Sequence, residues 1–264
     1  MNHIRWVPDY PPAMITDDIA FVGGDPVSVH CLLAKDGLIL LDTGYPDMLD
    51  GIAANLRTLG LSLQNVKYIV HSHGHIDHFG CTAAIVRLTG AKTFLGREDT
   101  AIASGEIDLS WAKELNLPHA ETFVPDVAFA DGDVLELGGR RIRCVHAPGH
   151  TAGTYALFIE TSVNGEPMIA AMHGGVGTNS MTRDFLESYG LPLSCRDDFR
   201  AGLRRLEKES VDIVLGNHPQ QNDTLGKLKR MCAEENPFVD RTQWQLFLAD
   251  CERQLDEMLL HEAM

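Results

Sequence analysis

The stretch Tyr68-Ile69-Val70-His71-Ser72-His73-Gly74-His75-Ile76-Asp77-His78-Phe79-Gly80 runs an apolar strand signal straight into a crowd of titratable groups. A fold gains little stability from gathering such groups at one strand end, so the chain must adopt an architecture whose strand ends carry chemistry. In extended chain, residues two apart point the same way, and His73 and His75 can therefore approach one ion from one side. Asp77 and His78 come after the chain turns toward a helix and face a different point, which suggests two adjacent metals rather than one. Gly74 leaves room for close approach, and Gly80 for tight helix packing. Two more histidines, His150 in Pro148-Gly149-His150 and His218 in Asn217-His218-Pro219, also stand just beyond strand signals, in Pro/Gly-rich turns. The strand ends together supply six ligands, enough for two three-ligand zinc sites with positions left open to water.

The rest of the chain repeats strand groups followed by helices. Residues 19 to 45 read as paired strands closed by Lys35-Asp36-Gly37 and ending at Asp42-Thr43-Gly44. Pro46 can open a helix that keeps Leu49, Ile52 and Leu56 on one face and stops at Gly60. Strand 67–71 and the histidine cluster are followed by a helix through Ala83, Ile85, Val86 and Leu88 to Gly90. Residues 104–130, with Gly105, Pro118 and Pro125, read as a long active-site loop broken by a short helix. Strands resume at 133–137, 141–146, 154–160 and 167–172, the last two joined by an Asn164-Gly165 hairpin; a helix near 196–208 and a strand at 211–216 follow. The pattern predicts an α/β fold of two sheets covered by helices, with residues 1–264 as one domain.

A final helix is expected at about 240–262, capped by Asp240 with Gln243 reaching back. Trp244, Phe247, Leu248, Cys251, Leu255 and Leu259 form one apolar stripe along it. Such stripes mostly pack on a core, but a terminal helix is easily shared, and a homo-oligomer joined through this helix is a second expectation.

Charge narrows the partners. A formal net charge of −15, with no Lys/Arg run longer than two, repels phosphate backbones and excludes nucleic acid as the expected partner. The start of the chain, MNHIRWVPDYPPAM, lacks a basic and an apolar export region, and no apolar run approaches the roughly 20 residues of a membrane span. Six scattered cysteines without a CxxC pair read as reduced thiols, Cys31 and Cys144 in strands. A cytoplasmic protein acting on a small molecule, with no membrane partner, is the expectation.

The motifs Leu41-Asp42-Thr43-Gly44, His73-Gly-His75-Ile-Asp77-His78, Pro148-Gly149-His150-Thr151-Ala152-Gly153 and Gly216-Asn217-His218-Pro219, in this order, resemble those of the metallo-β-lactamase superfamily. The resemblance spans residues 19 to about 230 and implies a four-layer αβ/βα sandwich with metals at one edge of both sheets. Carried over residue by residue, it implies that His73, His75 and His150 hold the first zinc and Asp77, His78 and His218 the second. Asp42 would orient a ligand imidazole. His71 and His146 would be structural or supporting groups rather than ligands.

One departure is informative. Most hydrolytic branches of this superfamily carry a metal-bridging Asp after the strand that follows the Pro-Gly-His turn. Here that strand reads Met168-Ile169-Ala170-Ala171-Met172-His173-Gly174-Gly175, and His173 stands near the expected place. The β-lactamase subclass with Asp, His and His at its second zinc likewise lacks the bridging residue, and this chain is most similar to it. That subclass grips the β-lactam carboxylate with serines near the His173 and Gly175 positions and is normally exported. The resemblance in fold is therefore stronger than in substrate, and weak or no conventional β-lactamase activity is expected. His173 is expected on the rim of the metal site, and Arg183 as a cation for a substrate anion. Substrate-selecting residues are expected in 104–130 and 174–195.

The implied activity is that of a dinuclear zinc hydrolase: metal-bound hydroxide attacks a small cyclic amide, lactone or ester, and Asp77 orients or relays the proton. Hydrolysis of acyl-homoserine lactones or thioesters is an alternative of the same kind. An iron-dependent oxidoreductase on the same fold, with iron or manganese in place of zinc, is the alternative of another kind. Those iron branches need the later Asp, which this chain lacks.

Overall fold

The apolar runs pair into two sheets whose inner faces share one core. The structure is a computed structural model and describes residues 11–117 and 121–264. The first sheet takes its strands in chain order: β1 (Ala13–Met14), β2 (Ile19–Phe21), β3 (His30–Ala34), β4 (Gly37–Leu41), β5 (Val66–Val70), β6 (Lys92–Gly96) and β7 (Val127–Phe129). β2, β3 and β4 are antiparallel, whereas β4 to β7 run parallel. The second sheet has the order β12-β11-β10-β9-β8, built from β8 (Val134–Leu137), β9 (Arg140–His146), β10 (Tyr155–Val163), β11 (Glu166–His173) and β12 (Ile213–Val214).

Alternation along the strands sorts side chains into three packed zones. Phe21, Leu32, Ile39 and Leu41 from the first sheet meet Ile142, Leu157 and Met172 from the second between the sheets. On the outer face of the first sheet, Cys31, Leu40 and Ile69 pack under α1 (Leu49–Thr58) and α3 (Thr82–Thr89) through Ile52, Leu56 and Ile85. The short helices α2 (Ile76–Phe79) and α4 (Thr100–Ala103) sit at the ends of β5 and β6. On the outer face of the second sheet, Val145, Ala156 and Ala171 pack under α6 (Cys195–Leu206) and α8 (Gln243–Glu262) through Phe199, Leu203, Trp244 and Leu255. The helices α5 (Arg183–Ser188) and α7 (Thr224–Arg230) lie in the connections that flank α6 and β12. The result is the four-layer αβ/βα sandwich.

Turn chemistry behaves as the residues dictate. Lys35 and Asp36 join β3 to β4, whose register closes at Ala34 and Gly37. Asn164 (φ 52°) and Gly165 (φ 79°) both take positive φ, as a two-residue hairpin with the strand twist requires. Gly60 (φ 73°) ends α1.

Three expectations need correction. α1 begins at Leu49 rather than at Pro46, because residues 42–48 form a turn in which Met48 N–H donates to Tyr45 O at 3.0 Å. The stretch 104–130 contains β7, and its expected helix is instead α4, just before it; Pro118 lies outside the described residues. α8 begins at Gln243, and Gln243 does not reach back: its side-chain oxygen accepts from Lys227 Nζ and its nitrogen donates to Asn222 O at 3.2 Å. Asp240 instead accepts from Thr242 N–H at 2.9 Å and from its hydroxyl at 2.7 Å. The apolar stripe of α8 packs within the chain. Trp244, Phe247, Leu248, Cys251 and Leu255 are buried against the second sheet and α6, and Leu259 packs on the same cluster. Among the described residues, no helix is long and apolar enough to cross a membrane.

Candidate metal centre

The ends of β4, β5, β9 and β12 lie at one edge of the two sheets, and the turns beyond them carry all six predicted ligands. His73, His75 and His150 bring one ring nitrogen each to within 4.8 Å of one another; Asp77, His78 and His218 do the same with their ligand atoms. The two groups adjoin, since the His73 and His78 ring centroids are 4.3 Å apart. Asp77 Oδ2 lies 3.4 Å from His78 Nε2 and 3.6 Å from His218 Nε2.

The nitrogens turned away from the centre are held from behind. His78 Nδ1 is 2.8 Å from Asp42 Oδ2, His150 Nδ1 is 2.7 Å from Gly177 O, and His218 Nδ1 is 2.7 Å from Pro26 O. His73 Nδ1 lies 3.0 Å from Ser72 Oγ, whose hydroxyl donates to Asp42 Oδ2 at 2.8 Å. A donor N–H on the far nitrogen leaves the near one with a free lone pair, as a ligand imidazole requires. Asp42 itself is in a left-handed conformation (φ 59°) and accepts a further bond from Ser72 N–H at 2.8 Å.

The electrostatics fit a metal. Burial, reinforced by the neighbouring imidazoles, holds His73 and His75 far below the usual histidine range, and burial takes His150 down to about 4. All three are neutral near pH 7 and competent to coordinate. Burial would depress His78 as well, but Asp77 and Asp42 outweigh it and raise His78 to about 10. Burial likewise opposes the charge on Asp77, yet His78 and its neighbours hold that carboxyl well below the normal range. Without a metal the second group thus holds its positive charge as a proton on His78, which a bound cation would displace. His73 Nε2 is buried without a hydrogen-bond partner, an arrangement that a coordinated cation would satisfy.

A cavity of about 420 Å³ opens over both groups, with His75, Asp77, His150 and His218 in its lining. Trp111 and Leu115 from the 104–130 stretch and Gly175 to Gly177, Asn179 and Ser180 from the 174–195 stretch form part of its wall. Tyr45 also lines it, as do Gln220, Gln221, Asp250 and Gln254, which were not singled out from the sequence.

His173 is not on that wall. It follows Ala171 by two residues, so the strand period turns it to the outer face of the second sheet. There its buried ring lies 6.2 Å from Phe199 and 6.4 Å from Phe247, with Nδ1 accepting from Gly175 N–H at 3.3 Å. The expectation that His173 stands on the rim is therefore corrected. Arg183 is also absent from the lining; it lies 3.8 Å from Glu187. His71 is structural, with Nδ1 3.0 Å from Phe94 O and Nε2 2.7 Å from Thr82 Oγ1. His146 Nε2 bonds Ala152 O at 2.8 Å.

Asp99 and Ser72 support the centre without having been predicted. Ser72 lies inside the histidine block, where its position between two histidines was a usable signal. Asp99 had none: it sits in an ordinary polar run, and only the fold brings it to the ligand turns.

Comparison with known proteins agrees with this geometry. The "Beta-lactamase hydrolase-like protein" of Xylella fastidiosa (strain Temecula1) is 27% identical over 202 residues, which is 69% of this chain; the chain spans 40% of that relative's length. The "Hydroxyacylglutathione hydrolase GloC" of Haemophilus influenzae is 26% identical over 181 residues, covering 67% of this chain and 77% of the relative. Among solved structures, BJP-1, a subclass B3 metallo-beta-lactamase of Bradyrhizobium japonicum, superposes with a TM-score of 0.89 at 25% identity, over 98% of this chain and 97% of that one. The sequence profile of the metallo-beta-lactamase superfamily matches residues 22–162, more than half of the chain, and with the two ligand groups at the shared sheet edge the chain belongs to that superfamily.

Proposed function

We propose that the protein is a dinuclear zinc hydrolase that cleaves a small amide, lactone or ester, with His73, His75 and His150 holding one zinc and Asp77, His78 and His218 the other. The observation that carries this reading is the adjacency of the two ligand groups on the floor of one cavity of about 420 Å³. Imidazole with a single carboxylate suits zinc. The bound metals supply Lewis acidity, lowering the pKa of water toward 7 and polarising a carbonyl.

The chain's own residues do the rest. Asp42 and the carbonyls of Gly177 and Pro26 fix the ligand rings. Asp77 directs Oδ2 at His78 and His218, and its ionised carboxylate orients the attacking water by accepting a hydrogen bond from it. Trp111 and Leu115 offer apolar surface to the acyl part of a substrate. Among the described residues lining the cavity, the charged side chains are the carboxylates Asp77 and Asp250, and the amides of Asn179, Gln220, Gln221 and Gln254 supply neutral hydrogen bonds. That lining favours an uncharged lactone, amide or thioester over a carboxylate-bearing β-lactam. The test is metal analysis of the purified chain together with a panel of lactones, thioesters, amides and β-lactams. About two zinc per chain and turnover of an uncharged member are expected; one iron per chain, or no hydrolysis by zinc-loaded protein, would overturn the reading.

A further inference from the structure

Asp99 directly precedes α4 and occupies that helix's N-cap position, where an aspartate ordinarily caps the first turn. It makes no such bond. Its fully buried carboxylate turns instead toward the metal centre's two ligand turns. Oδ2 accepts from Gly74 N–H and from Thr151 Oγ1, each at 2.7 Å, and Oδ1 accepts from Gly153 N–H at 2.7 Å. Gly74 separates His73 from His75, while Thr151 and Gly153 follow His150. One carboxylate therefore ties the β5 turn of the first sheet to the β9–β10 turn of the second, and these two turns carry the three histidines of one ligand group.

The glycines belong to the same device. A Cβ on Gly153 would lie 2.5 Å from Asp99 Cγ, and one on Gly74 would lie 3.0 Å from Asp99 Cβ. Asp99 thus occupies the space into which a side chain at Gly74 or Gly153 would grow. Ser72 O accepting Tyr155 N–H at 3.0 Å is a backbone bond that joins the same two turns; the other bonds on the segment after His150, such as Thr151 N–H to Thr154 Oγ1 at 3.1 Å and Ser180 Oγ to His150 O at 2.6 Å, do not reach the β5 turn.

We infer that Asp99 is a positioning residue that sets the spacing of His73 and His75 against His150, and so the metal affinity of the three-histidine group, while leaving the Asp77, His78 and His218 group largely unaffected. This rests on the metal-centre reading above. An ionised carboxylate only accepts, and it meets three donors here; the isosteric amide of Asp99→Asn must set its NH2 against at least one of them in either orientation. Asp99 touches neither ligand nor substrate, so its effect passes through the turns it holds.

Zinc and cobalt(II) titration of the metal-free full chain tests this. In a His78→Ala background, which removes the second group, Asp99→Asn is expected to weaken metal binding on the order of 10- to 100-fold. In a His75→Ala background, the same change is expected to leave the affinity of the remaining group nearly unaltered. Thr151→Val, which removes one donor, should weaken the first group partially, and Thr151→Ser should restore it; this pair keeps the test sound if Asp99→Asn folds poorly. Wild-type affinity of Asp99→Asn for the three-histidine group, or equal weakening of both groups, would overturn the inference. A wild-type chain that takes up no metal would overturn the metal centre itself, and this inference with it.

Discussion

Asp42 Oδ2 lies 2.8 Å from His78 Nδ1, and the same oxygen accepts the Ser72 hydroxyl that stands 3.0 Å from His73 Nδ1. One buried carboxylate thus orients an imidazole in each ligand group. Asp42→Asn keeps the shape but removes the charge and one acceptor. Loss of such supporting contacts lowers metal affinity or activity about 10- to 100-fold. Metal titration of the variant is expected to show both groups weakened, in contrast to the one-group effect of Asp99→Asn; unchanged affinity at the His78 group would refute the assignment.

Metal removal gives a second expected outcome. Chelation should abolish hydrolysis and lower the melting temperature, because an ion that binds only the folded chain stabilises it by about 2.7 kcal/mol at a concentration 100 times its Kd. Restoring zinc should return both. Calorimetry of chelated and reloaded protein checks this, and a melting temperature indifferent to zinc would contradict it.

Buried neutral histidines set an acid limit. Burial lowers His30 to about 4 and His173 to about 3, from the usual 6.5. With the folded value depressed, the unfolded chain binds more protons below about pH 6.5. Stability is therefore fully present above that pH and is lost as pH falls toward the folded values. Taken down to those folded values, the loss amounts to about 3 kcal/mol for His30 and about 5 kcal/mol for His173. Melting temperature measured between pH 7.5 and pH 5 should fall less steeply in His173→Leu than in the wild type. Since the ring packs on Phe199 and Phe247, the variant should also retain hydrolysis at neutral pH.

The C-terminal helix provides a fourth test. Trp244 is 1% exposed, with its indole N–H donating to Leu206 O at 3.0 Å, and Leu255 is fully buried. Trp244→Ala should cost about 3–5 kcal/mol and Leu255→Ala about 2–5 kcal/mol in urea unfolding. Leu260, 68% exposed on the same helix, should tolerate Leu260→Ser within about 0.5 kcal/mol. Sedimentation should find the oligomeric state unaltered in the core variants. A change of oligomer on loss of Trp244 would return the stripe to the role of a subunit interface.

Much of this protein is written locally. Near-continuous apolar runs at Leu38 to Leu41 and Val66 to Val70 become strands paired in parallel, and Asn164-Gly165 becomes a hairpin because its turn needs positive φ at both positions. The six candidate ligand residues stand out in the sequence because their side-chain types converge at strand ends, where backbone geometry already aims them to one edge. What only the tertiary structure decided involves partners distant in sequence. Asp99 reaches Gly74 across 25 residues, Thr151 across 52 and Gly153 across 54, and no short window records such contacts. His173 was misplaced because a turn motif locates a residue at a sheet edge but does not choose the face; strand parity, counted from Ala171, makes that choice. The stripe of α8 shows the same division: its period is local, but whether the second sheet or another subunit covers it depends on where the helix comes to rest.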